Sequence, residues 1–258
     1  MKSLKGNIAF ITGASSGIGE ATAKLFAHEG ANLILVARRN NILQKLSKKI
    51  KNEFNVEVKT IQLDIQNYKS VLTAYNKLPA EWKAIDILVN NAGLSRGLKN
   101  IQDSEIQDWE EMINTNIKGL LYVTRLILPG MVKRNSGHVV NLGSIAGHFT
   151  YPGGNVYSAT KFFVNSLSQG MRMDLLGTNV RVTSVDPGLV ETEFSLVRYR
   201  GDKDKAKKPY EGLTPLKGED VADAILYAVT RPAHVNIQEL IVMPTDQASL
   251  WHISRNKK

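Results

Sequence analysis

Short apolar runs alternate with longer amphipathic stretches along the whole chain. The runs are continuously apolar, without alternating polar positions, which is typical of strands that are buried on both faces of a parallel sheet. This pattern predicts seven strands, at Ile8–Thr12, Asn32–Ala37, Val56–Leu63, Ile85–Asn90, His138–Leu142, Val180–Val185 and Glu239–Met243.

The stretches between these runs follow the 3.6-residue period of helices. They predict helices at Gly17–Glu29, Ile42–Phe54, Tyr68–Leu78, Ser104–Val132, Val156–Leu176 and Asp220–Thr230. Repeated strand–helix–strand units imply right-handed crossovers and a doubly wound sheet. We therefore expect an α/β fold, a Rossmann-type parallel sheet flanked by helices, in a single domain over residues 1–258.

One region departs from this alternation. Leu189–Leu216 is polar, rich in lysine and interrupted by Pro209 and Pro215. A loop of this length in a compact domain is usually functional. It also follows the sixth strand, at the sheet edge where open α/β folds bind their ligands. We expect residues 189–216 to form a substrate lid, and residues 244–258 to form a C-terminal tail of undefined role.

Composition excludes several classes of protein. The chain has no cysteine, so it contains no disulfide and no thiolate metal site, and its five histidines are scattered, so we expect no metal. The lack of cysteine is compatible with a reducing compartment, and we expect a cytoplasmic protein. No apolar run approaches the roughly 18 residues of a membrane helix, so we expect no membrane partner.

The net charge of +9 is spread over the surface. Basic residues occur near Lys45, near Lys203, and at Lys257 and Lys258, without the motifs that accompany nucleic-acid binding. We interpret them as a solvated surface that mildly steers an anionic cofactor and substrate, and we expect no nucleic acid partner.

A glycine-rich turn joins the first strand to the first helix. Its spacing is G-x-x-x-G-x-G, which differs from the common G-x-G-x-x-G fingerprint. Glycines let the backbone approach a pyrophosphate, and the helix N-terminus offers free N–H groups to the phosphates. A purely structural turn is the alternative, but the position after strand one favours a dinucleotide site at Gly13, Ser15, Ser16, Gly17, Ile18 and Gly19.

The end of the second strand indicates which nicotinamide cofactor is used. NAD enzymes carry an acidic residue there for the ribose 2′-hydroxyl, whereas an arginine accommodates the 2′-phosphate of NADP. This chain has no acid at Ala37 and continues with Arg38 and Arg39. An arginine fork matches a phosphate, so we expect NADP, although two arginines could also simply begin a surface helix.

Candidate catalytic residues follow the fifth strand. Ser144 ends that strand, and Tyr157 and Lys161 lie four positions apart, on one face of the next helix. A nearby ammonium favours the phenolate of a tyrosine, whose ordinary pKa near 10 makes it a poor base. The Tyr–Lys spacing alone is weak, because many helices carry it by chance.

The order of the motifs is more specific than any one of them. After the glycine-rich turn come Asn90-Asn91-Ala92-Gly93, Asn116-Ile117-Lys118-Gly119, Ser144 before Tyr157, and Pro187-Gly188. This series resembles the short-chain dehydrogenase/reductase family over essentially the whole chain.

The resemblance implies a role for each matching residue. Tyr157 would exchange a proton with the substrate oxygen, and Ser144 would hydrogen-bond the same oxygen. Lys161 would lower the tyrosine's pKa and hold the nicotinamide ribose, and Asn116 would position a water in a proton relay.

The resemblance also implies further cofactor contacts. Asp64 would contact the adenine, Asn90 the adenine ribose, and Thr192 the nicotinamide carboxamide. The other expected cofactor-binding residues are Ile65, Ala92, Gly93, Pro187, Gly188 and Val190.

A narrower resemblance begins at Pro187. The segments 187–202, 232–237 and 243–249 are similar to the NADP-dependent 3-hydroxy acid dehydrogenases, which include microbial serine and L-allo-threonine dehydrogenases, and this implies a homotetramer. A hydroxy acid needs a cation for its carboxylate, and Arg198 is our candidate, since it would share a helical face with Phe194.

Three other functions stay open. A 3-oxoacyl carrier-protein reductase or a broad carbonyl reductase would use the same cofactor and catalytic residues. A non-catalytic NADP sensor would be expected to have lost part of the catalytic set, whereas Ser144, Tyr157, Lys161 and Asn116 are all present.

Overall fold

A computed structural model describes residues 3–255. Its strands form one seven-stranded sheet in the order β3-β2-β1-β4-β5-β6-β7, and every neighbouring pair is parallel. The strands are β1 (Ile8–Thr12), β2 (Asn32–Ala37), β3 (Val58–Gln62), β4 (Ile87–Asn90), β5 (Gly137–Leu142), β6 (Val180–Pro187) and β7 (Glu239–Val242). The strand order reverses between β1 and β4, which confirms the doubly wound sheet.

Helices cover both faces of this sheet. They are α1 (Gly17–His28), α2 (Asn40–Glu53), α3 (Tyr68–Asn76), α4 (Ile106–Ile113), α5 (Leu120–Lys133), α6 (Asn155–Asp174), α7 (Glu193–Arg198), α8 (Lys203–Lys207) and α9 (Gly218–Val229). One buried core joins α1, α2 and α9 to the sheet, for example through Phe26 and Ile225. A second core joins α3, α5 and α6 to it, for example through Ile127 and Met171.

Burial on both faces holds for the inner strands but not for the two edge strands. Every residue of β4 is buried, whereas β7 alternates between exposed and half-buried positions and only Val58 of β3 is buried. The prediction that all the strands are buried on both faces is therefore wrong for β3 and β7. Each of these edge strands has a hydrogen-bonded neighbour on one side only.

Two segments differ in detail from the predicted elements. The long helical stretch is divided: α4 ends at Ile113, a π-helical turn covers Asn114–Gly119, and α5 follows. The segment 189–216 contains the short helices α7 and α8, although its pattern predicted an irregular loop. Lys257 and Lys258 lie outside the described residues. Among residues 3–255, no helix is long and apolar enough to span a membrane.

Candidate active site

A cavity of about 660 Å³ lies at the carboxyl ends of the strands, around the point where the strand order reverses. Open α/β sheets bind their ligands at this position. The predicted site residues that line it are Gly13, Ser15, Ser16, Gly17, Ile18, Arg38, Arg39, Asp64, Ile65, Ala92, Gly93, Ser144, Tyr157, Lys161, Pro187, Gly188, Val190, Thr192 and Arg198. The fold therefore brings both ends of the predicted site into one cavity.

The glycine-rich turn is clamped against the end of β4. Gly13 has a φ of 66°, in the left-handed region that favours glycine, and the Asn91 amide donates to the Thr12 carbonyl at 2.9 Å. A Cβ on Gly19 would lie 2.5 Å from the Gly13 carbonyl oxygen, so α1 can pack this closely only with glycine at position 19. Gly19 itself does not line the cavity; it shapes the turn that does.

The start of α1 fits the phosphates of a dinucleotide. Ser16 caps the helix without a side-chain hydrogen bond to it, so the backbone N–H groups of the first turn stay available beside the cavity. A helix N-terminus with free N–H groups and a positive dipole end binds phosphate well. The chemistry of these donors therefore matches the group that the glycine spacing predicts.

The two arginines after β2 have different surroundings. The Arg39 guanidinium donates to the hydroxyls of Ser15 and Ser16 at 3.0 and 2.8 Å, and its Nη1 lies 2.8 Å from a carboxylate oxygen of Glu193. Arg38 is more exposed, and its Nη1 lies 4.0 Å from Glu111. Both line the cavity, as a site for a ribose 2′-phosphate requires.

Asn90 requires a correction. Its side chain is buried and donates to Thr124 and Asn141, each at 2.9 Å, and the residue does not line the cavity. These hydrogen bonds join β4 to β5 and α5. The Asn90 side chain therefore lies in the core and not in the cavity wall, so the predicted contact with the adenine ribose does not fit this arrangement. Asn91, Ala92 and Gly93 form the cavity wall at this point.

Ser144, Tyr157 and Lys161 meet in the cavity. Ser144 lies two residues after β5 and begins a short 3-10 turn, where its hydroxyl accepts a hydrogen bond from the Ala146 backbone at 3.1 Å. Tyr157 and Lys161 lie on α6, and the lysine Nζ is 5.9 Å from the centre of the tyrosine ring. The same Nζ donates to the Leu142 carbonyl at 2.8 Å. An acid/base group, a hydroxyl and a cation thus face one cavity.

The protonation of these groups differs from the expectation. Burial raises the pKa of Tyr157 to about 12, while Arg198 and the Ser144 hydroxyl partly counteract the rise. Burial lowers the pKa of Lys161 to about 8, against the opposing effect of Asp186. Lys161 is not among the groups that shift the pKa of Tyr157 here, so its effect on that pKa stays a prediction. Desolvation dominates, and the cation that acts on the phenol is Arg198.

Asn116 lies in the π-helical turn, behind the cavity wall. Its amide donates to the Leu94 carbonyl at 2.9 Å and to the Thr160 hydroxyl at 3.0 Å, and its oxygen accepts from the Leu94 N–H at 2.9 Å. The side chain is buried and does not line the cavity. Its role in a proton relay stays a prediction.

Arg198 lies beside Tyr157. Its guanidinium carbon is 5.3 Å from the centre of the Tyr157 ring and 5.1 Å from that of Phe194, and it donates to the Tyr151 hydroxyl at 3.0 Å. Phe194 and Arg198 both lie on α7, so they share a helix as the spacing predicted. Within residues 3–255, no carboxylate forms an ion pair with Arg198.

A cluster of ionisable side chains lies next to this site, and only its central carboxylate, Asp186, is buried. The ligand atoms of His148, Asp186 and Glu239 fall within 4.8 Å of one another, an arrangement that could hold a metal ion. The histidine Nε2 is 2.8 Å from Asp186, so the pair forms a hydrogen-bonded contact by itself. Burial raises the pKa of Asp186. The expectation that no histidine belongs to a group of possible metal ligands is therefore wrong, because His148 lies in one.

Several cavity residues were not predicted from the sequence: Tyr151, Tyr210, Gln247, Trp251 and Arg255. Tyr151 could have been suspected, since it is an aromatic residue in the loop between Ser144 and Tyr157. The tail residues carried no such signal. Arg255 donates to the Pro209 carbonyl at 3.1 Å, so the tail packs against the segment 189–216.

Comparison with known proteins agrees with this geometry. The short chain dehydrogenase family matches residues 7–201, and the chain belongs to that family. It is 49% identical to the NADP-dependent 3-hydroxy acid dehydrogenase YdfG of Salmonella typhi, over 93% of this chain and 96% of that protein. It is 46% identical to sulfoacetaldehyde reductase 2 of Chromohalobacter salexigens, over 94% and 96%.

A solved structure is similar throughout. The closed form of serine dehydrogenase complexed with NADP⁺ aligns with a TM-score of 0.90 and 47% identity, covering 94% of this chain and 97% of that one. Family membership and the cavity together define an oxidoreductase of the short-chain dehydrogenase class.

Proposed function

We propose that the protein is an NADP-dependent oxidoreductase that interconverts small 3-hydroxy acids, of the serine, L-allo-threonine or 3-hydroxypropionate type, and their 3-oxo forms. The observation that carries the substrate class is Arg198, a guanidinium without a carboxylate partner in the described chain, 5.3 Å from the Tyr157 ring. A bidentate guanidinium is the natural partner of a carboxylate. The similar hydroxy acid dehydrogenase and serine dehydrogenase support the same assignment.

The residues present would hold NADP along the cavity. Its phosphates fit the N-terminus of α1 with Ser15 and Ser16, and its 2′-phosphate fits Arg38 and Arg39. Asp64 would contact the adenine, and the segment from Pro187 to Thr192 would contact the nicotinamide. When bound, this cofactor accepts or supplies the hydride.

The chain itself supplies the proton and the orientation. In the oxidative direction Tyr157 takes the hydroxyl proton as the substrate loses its hydride, and in reduction it returns that proton to the carbonyl oxygen. Ser144 donates a hydrogen bond to the same oxygen. Lys161 holds a positive charge beneath the tyrosine, and Asn116 would connect it to a proton relay. Arg198 fixes the carboxylate, so only one carbon faces the cofactor.

We assign the segment 189–216 as the substrate lid of this single domain. Phe194 packs on the Tyr157 ring, with the ring centres 5.6 Å apart, and Tyr210 hydrogen-bonds both Ser195 and the Val190 carbonyl. These contacts cover the reacting groups and exclude water. The tail residues 244–255 pack against the lid and contribute Gln247, Trp251 and Arg255 to the cavity wall.

We propose a homotetramer in the cytoplasm, on the basis of the family resemblance. Exposed apolar side chains support association: Leu121 on α5, Phe162 on α6 and Ile241 on the edge strand β7. Light scattering coupled to gel filtration should give four times the chain mass of 28.6 kDa. A mass of one chain would contradict the assembly.

A second candidate is the reduction of a small aldehyde that carries a sulfonate. The similarity to sulfoacetaldehyde reductase 2 favours it, and Arg198 could bind a sulfonate as readily as a carboxylate. The larger substrates of a 3-oxoacyl carrier-protein reductase or a broad carbonyl reductase have no comparable support.

A kinetic screen tests these assignments. D- and L-serine, L-allo-threonine and 3-hydroxypropionate would be oxidised with NADP⁺, beside sulfoacetaldehyde and acetoacetyl thioesters reduced with NADPH. We expect the highest kcat/KM for a 3-hydroxy acid. A preference for the thioester would overturn the substrate class, and a preference for sulfoacetaldehyde would select the second candidate.

A further inference from the structure

A second cavity, of about 400 Å³, adjoins the first on the substrate side of the catalytic tyrosine. Tyr157 and Arg198 line both cavities. The other walls come from α4, through Asp108, Trp109 and Met112, from the middle of the lid, and from residues 96–105 and 153–155. The glycine-rich turn and Arg38 line only the first cavity. A group attached to the reacting carbon can therefore extend into the second cavity without meeting the cofactor-binding residues.

Two buried donors at this cavity have no acceptor within the described chain. They are the indole Nε1 of Trp109 and the guanidinium Nε of Arg198. Buried donors in proteins are nearly always hydrogen-bonded, because an unpaired one costs its full desolvation free energy. Both residues line the second cavity, and because the two N–H groups are themselves closed to solvent, an acceptor bound there reaches them once the side chains turn toward it.

The carboxylates around the cavity are already engaged by other cations. Asp108 pairs with Arg200, and Glu111 receives two hydrogen bonds from Arg96, at 2.7 and 2.8 Å. Glu105 pairs with Lys99 at 2.9 Å. These carboxylates are therefore paired with cations, and none of them accepts a hydrogen bond from the Trp109 indole.

We propose that Trp109 is a specificity-determining residue whose indole N–H binds the substrate carboxylate together with Arg198. A carboxylate is purely an acceptor with two oxygens, so it can receive both donors, and the bonds are charge-assisted. Met112 and the Tyr157 ring supply apolar surface to a cavity whose other walls are largely polar and charged. This inference rests on the proposed 3-hydroxy acid function and adds a second carboxylate-binding residue to it.

The indole N–H can be observed directly. The chain has three tryptophans, Trp82, Trp109 and Trp251, so a ¹H–¹⁵N spectrum contains three indole signals. The Trp109 signal is assigned by its loss in Trp109→Phe. Titrating 3-hydroxypropionate onto the NADPH-bound enzyme gives a complex that cannot react, and we expect the Trp109 signal to move. The neutral amide of the same acid should move it far less.

Kinetics provide the second readout. Trp109→Phe keeps an aromatic ring against Met112 and removes only the donor. We expect kcat/KM for 3-hydroxypropionate to fall about 10- to 100-fold, the range for a lost hydrogen bond to a charged group. Activity on the neutral amide and the KM for NADP⁺ should stay within about twofold. Trp82→Phe, the same change outside both cavities, should leave both substrates unaffected.

The outcomes separate two kinds of failure. Equal effects of Trp109→Phe on the acid and the amide, or an indole signal that the acid does not move, would overturn the role of Trp109 alone. Full activity on neutral carbonyls with none on any 3-hydroxy acid would overturn the proposed substrate, and this inference with it. A loss of activity confined to the charged substrate, together with the shift of the Trp109 signal, supports both the role of Trp109 and the proposed substrate class.

Discussion

Two pairs of arginines lie in the site: Arg38 and Arg39 at its cofactor end, and Arg198 and Arg200 in the lid. In each pair one arginine has a carboxylate of its own and the other does not. Arg39, after β2, is bound to Glu193, whereas its neighbour Arg38 is 4.0 Å from an acid that Arg96 already holds. At the lid, Arg200 is bound to Asp108, whereas Arg198 contacts aromatic rings and a tyrosine hydroxyl.

This comparison suggests how to separate ligand-binding arginines from structural ones. An arginine that already has a carboxylate loses that pair when it binds an anionic ligand, so it contributes less net affinity. One without such a partner has no pair to lose. We therefore expect Arg38 and Arg198 to contribute more to ligand binding than Arg39 and Arg200.

The largest effect on turnover should come from Tyr157, the residue that exchanges the proton with the substrate. Tyr157→Phe keeps the ring against Arg198 and removes the group that exchanges the proton. Turnover should fall about 10²- to 10⁴-fold, the usual value of general acid/base catalysis. Fluorescence titration should give an unchanged Kd for NADPH. A variant with near-normal turnover would exclude Tyr157 as the acid/base.

The lid pair gives the next largest effect. Arg198→Ala should raise KM for a hydroxy acid about 10- to 100-fold, because a charge-assisted bond to the carboxylate is lost. A neutral alcohol never uses that charge, so its KM should hardly change. Steady-state kinetics with both substrates measures this difference.

Arg200→Ala is the matched control for this change. It removes an arginine of the same lid whose partner is Asp108, and we expect less than about a threefold change for either substrate. Equal losses for both substrates in Arg198→Ala would mean that Arg198 supports the fold of the lid. An Arg200→Ala effect as large as that of Arg198→Ala would break the comparison.

Replacing Lys161 tests how far a buried cation without a contacting carboxylate lowers the free energy of unfolding. Its pKa of about 8 lies below the ordinary 10.5, so its charged form is disfavoured in the folded state. Lys161→Met should therefore stabilise the fold by about 1–3 kcal/mol at pH 7, after allowing for the lost bond to Leu142. It should also abolish activity, because it removes the positive charge beneath Tyr157, and a gain in stability with a loss of activity is typical of a catalytic group.

The pH dependence has a defined sign. At pH 7 the lysine is charged in both the folded and unfolded states, so the full cost is present. Between pH 8 and 10.5 the folded protein binds fewer protons than the unfolded chain, and the cost declines with rising pH. Urea unfolding of Lys161→Met and wild type at pH 7 and 9.5 should give a smaller difference at pH 9.5. A destabilised variant at pH 7 would contradict this account.

The cofactor pair should respond less than the lid pair, because Arg38 is about half exposed. Arg38→Ala should weaken NADPH by about 1.5 kcal/mol, roughly tenfold, and leave NADH nearly unchanged. Isothermal titration with both cofactors gives the ratio. Equal losses for NADPH and NADH would show that this arginine does not recognise the 2′-phosphate.

Much of this site could be predicted from the sequence, because its parts are local. The apolar runs define the strands, and residues that follow parallel strands meet at one sheet edge. The glycine spacing, Ser144, and the pair Tyr157 and Lys161 each lie within one turn or helix. The spacing of Phe194 and Arg198 predicted a shared face only if their segment is helical, and the structure places both on α7.

What the sequence missed depends on distant partners. Asn90 ends its strand as the motif requires, but its hydrogen bonds to Thr124 and Asn141 hold its side chain in the core. The pKa of Tyr157 depends on burial beneath the lid, whose short helices the lysines and prolines obscured. The division within each arginine pair depends on carboxylates such as Glu193 and Asp108, far away in the chain.

The smallest predicted effect tests whether the lid competes with the cofactor for Arg39. Glu193 begins α7, and its carboxylate lies 2.8 Å from the Arg39 guanidinium, with both side chains 40–50% exposed. Exposed ion pairs contribute about 0.2–1 kcal/mol. Glu193→Gln should release Arg39 and improve the Kd for NADPH about two- to fivefold, with no change for NADH. The gain should shrink as salt rises from 50 to 500 mM, because salt screens the pair in the wild type. Glu191→Gln, an acid of the same lid outside this ion pair, is the matched control. If Glu193→Gln weakens NADPH binding, Glu193 orients Arg39 for the phosphate, and Arg39 then belongs with Arg38 and Arg198 among the ligand-binding arginines.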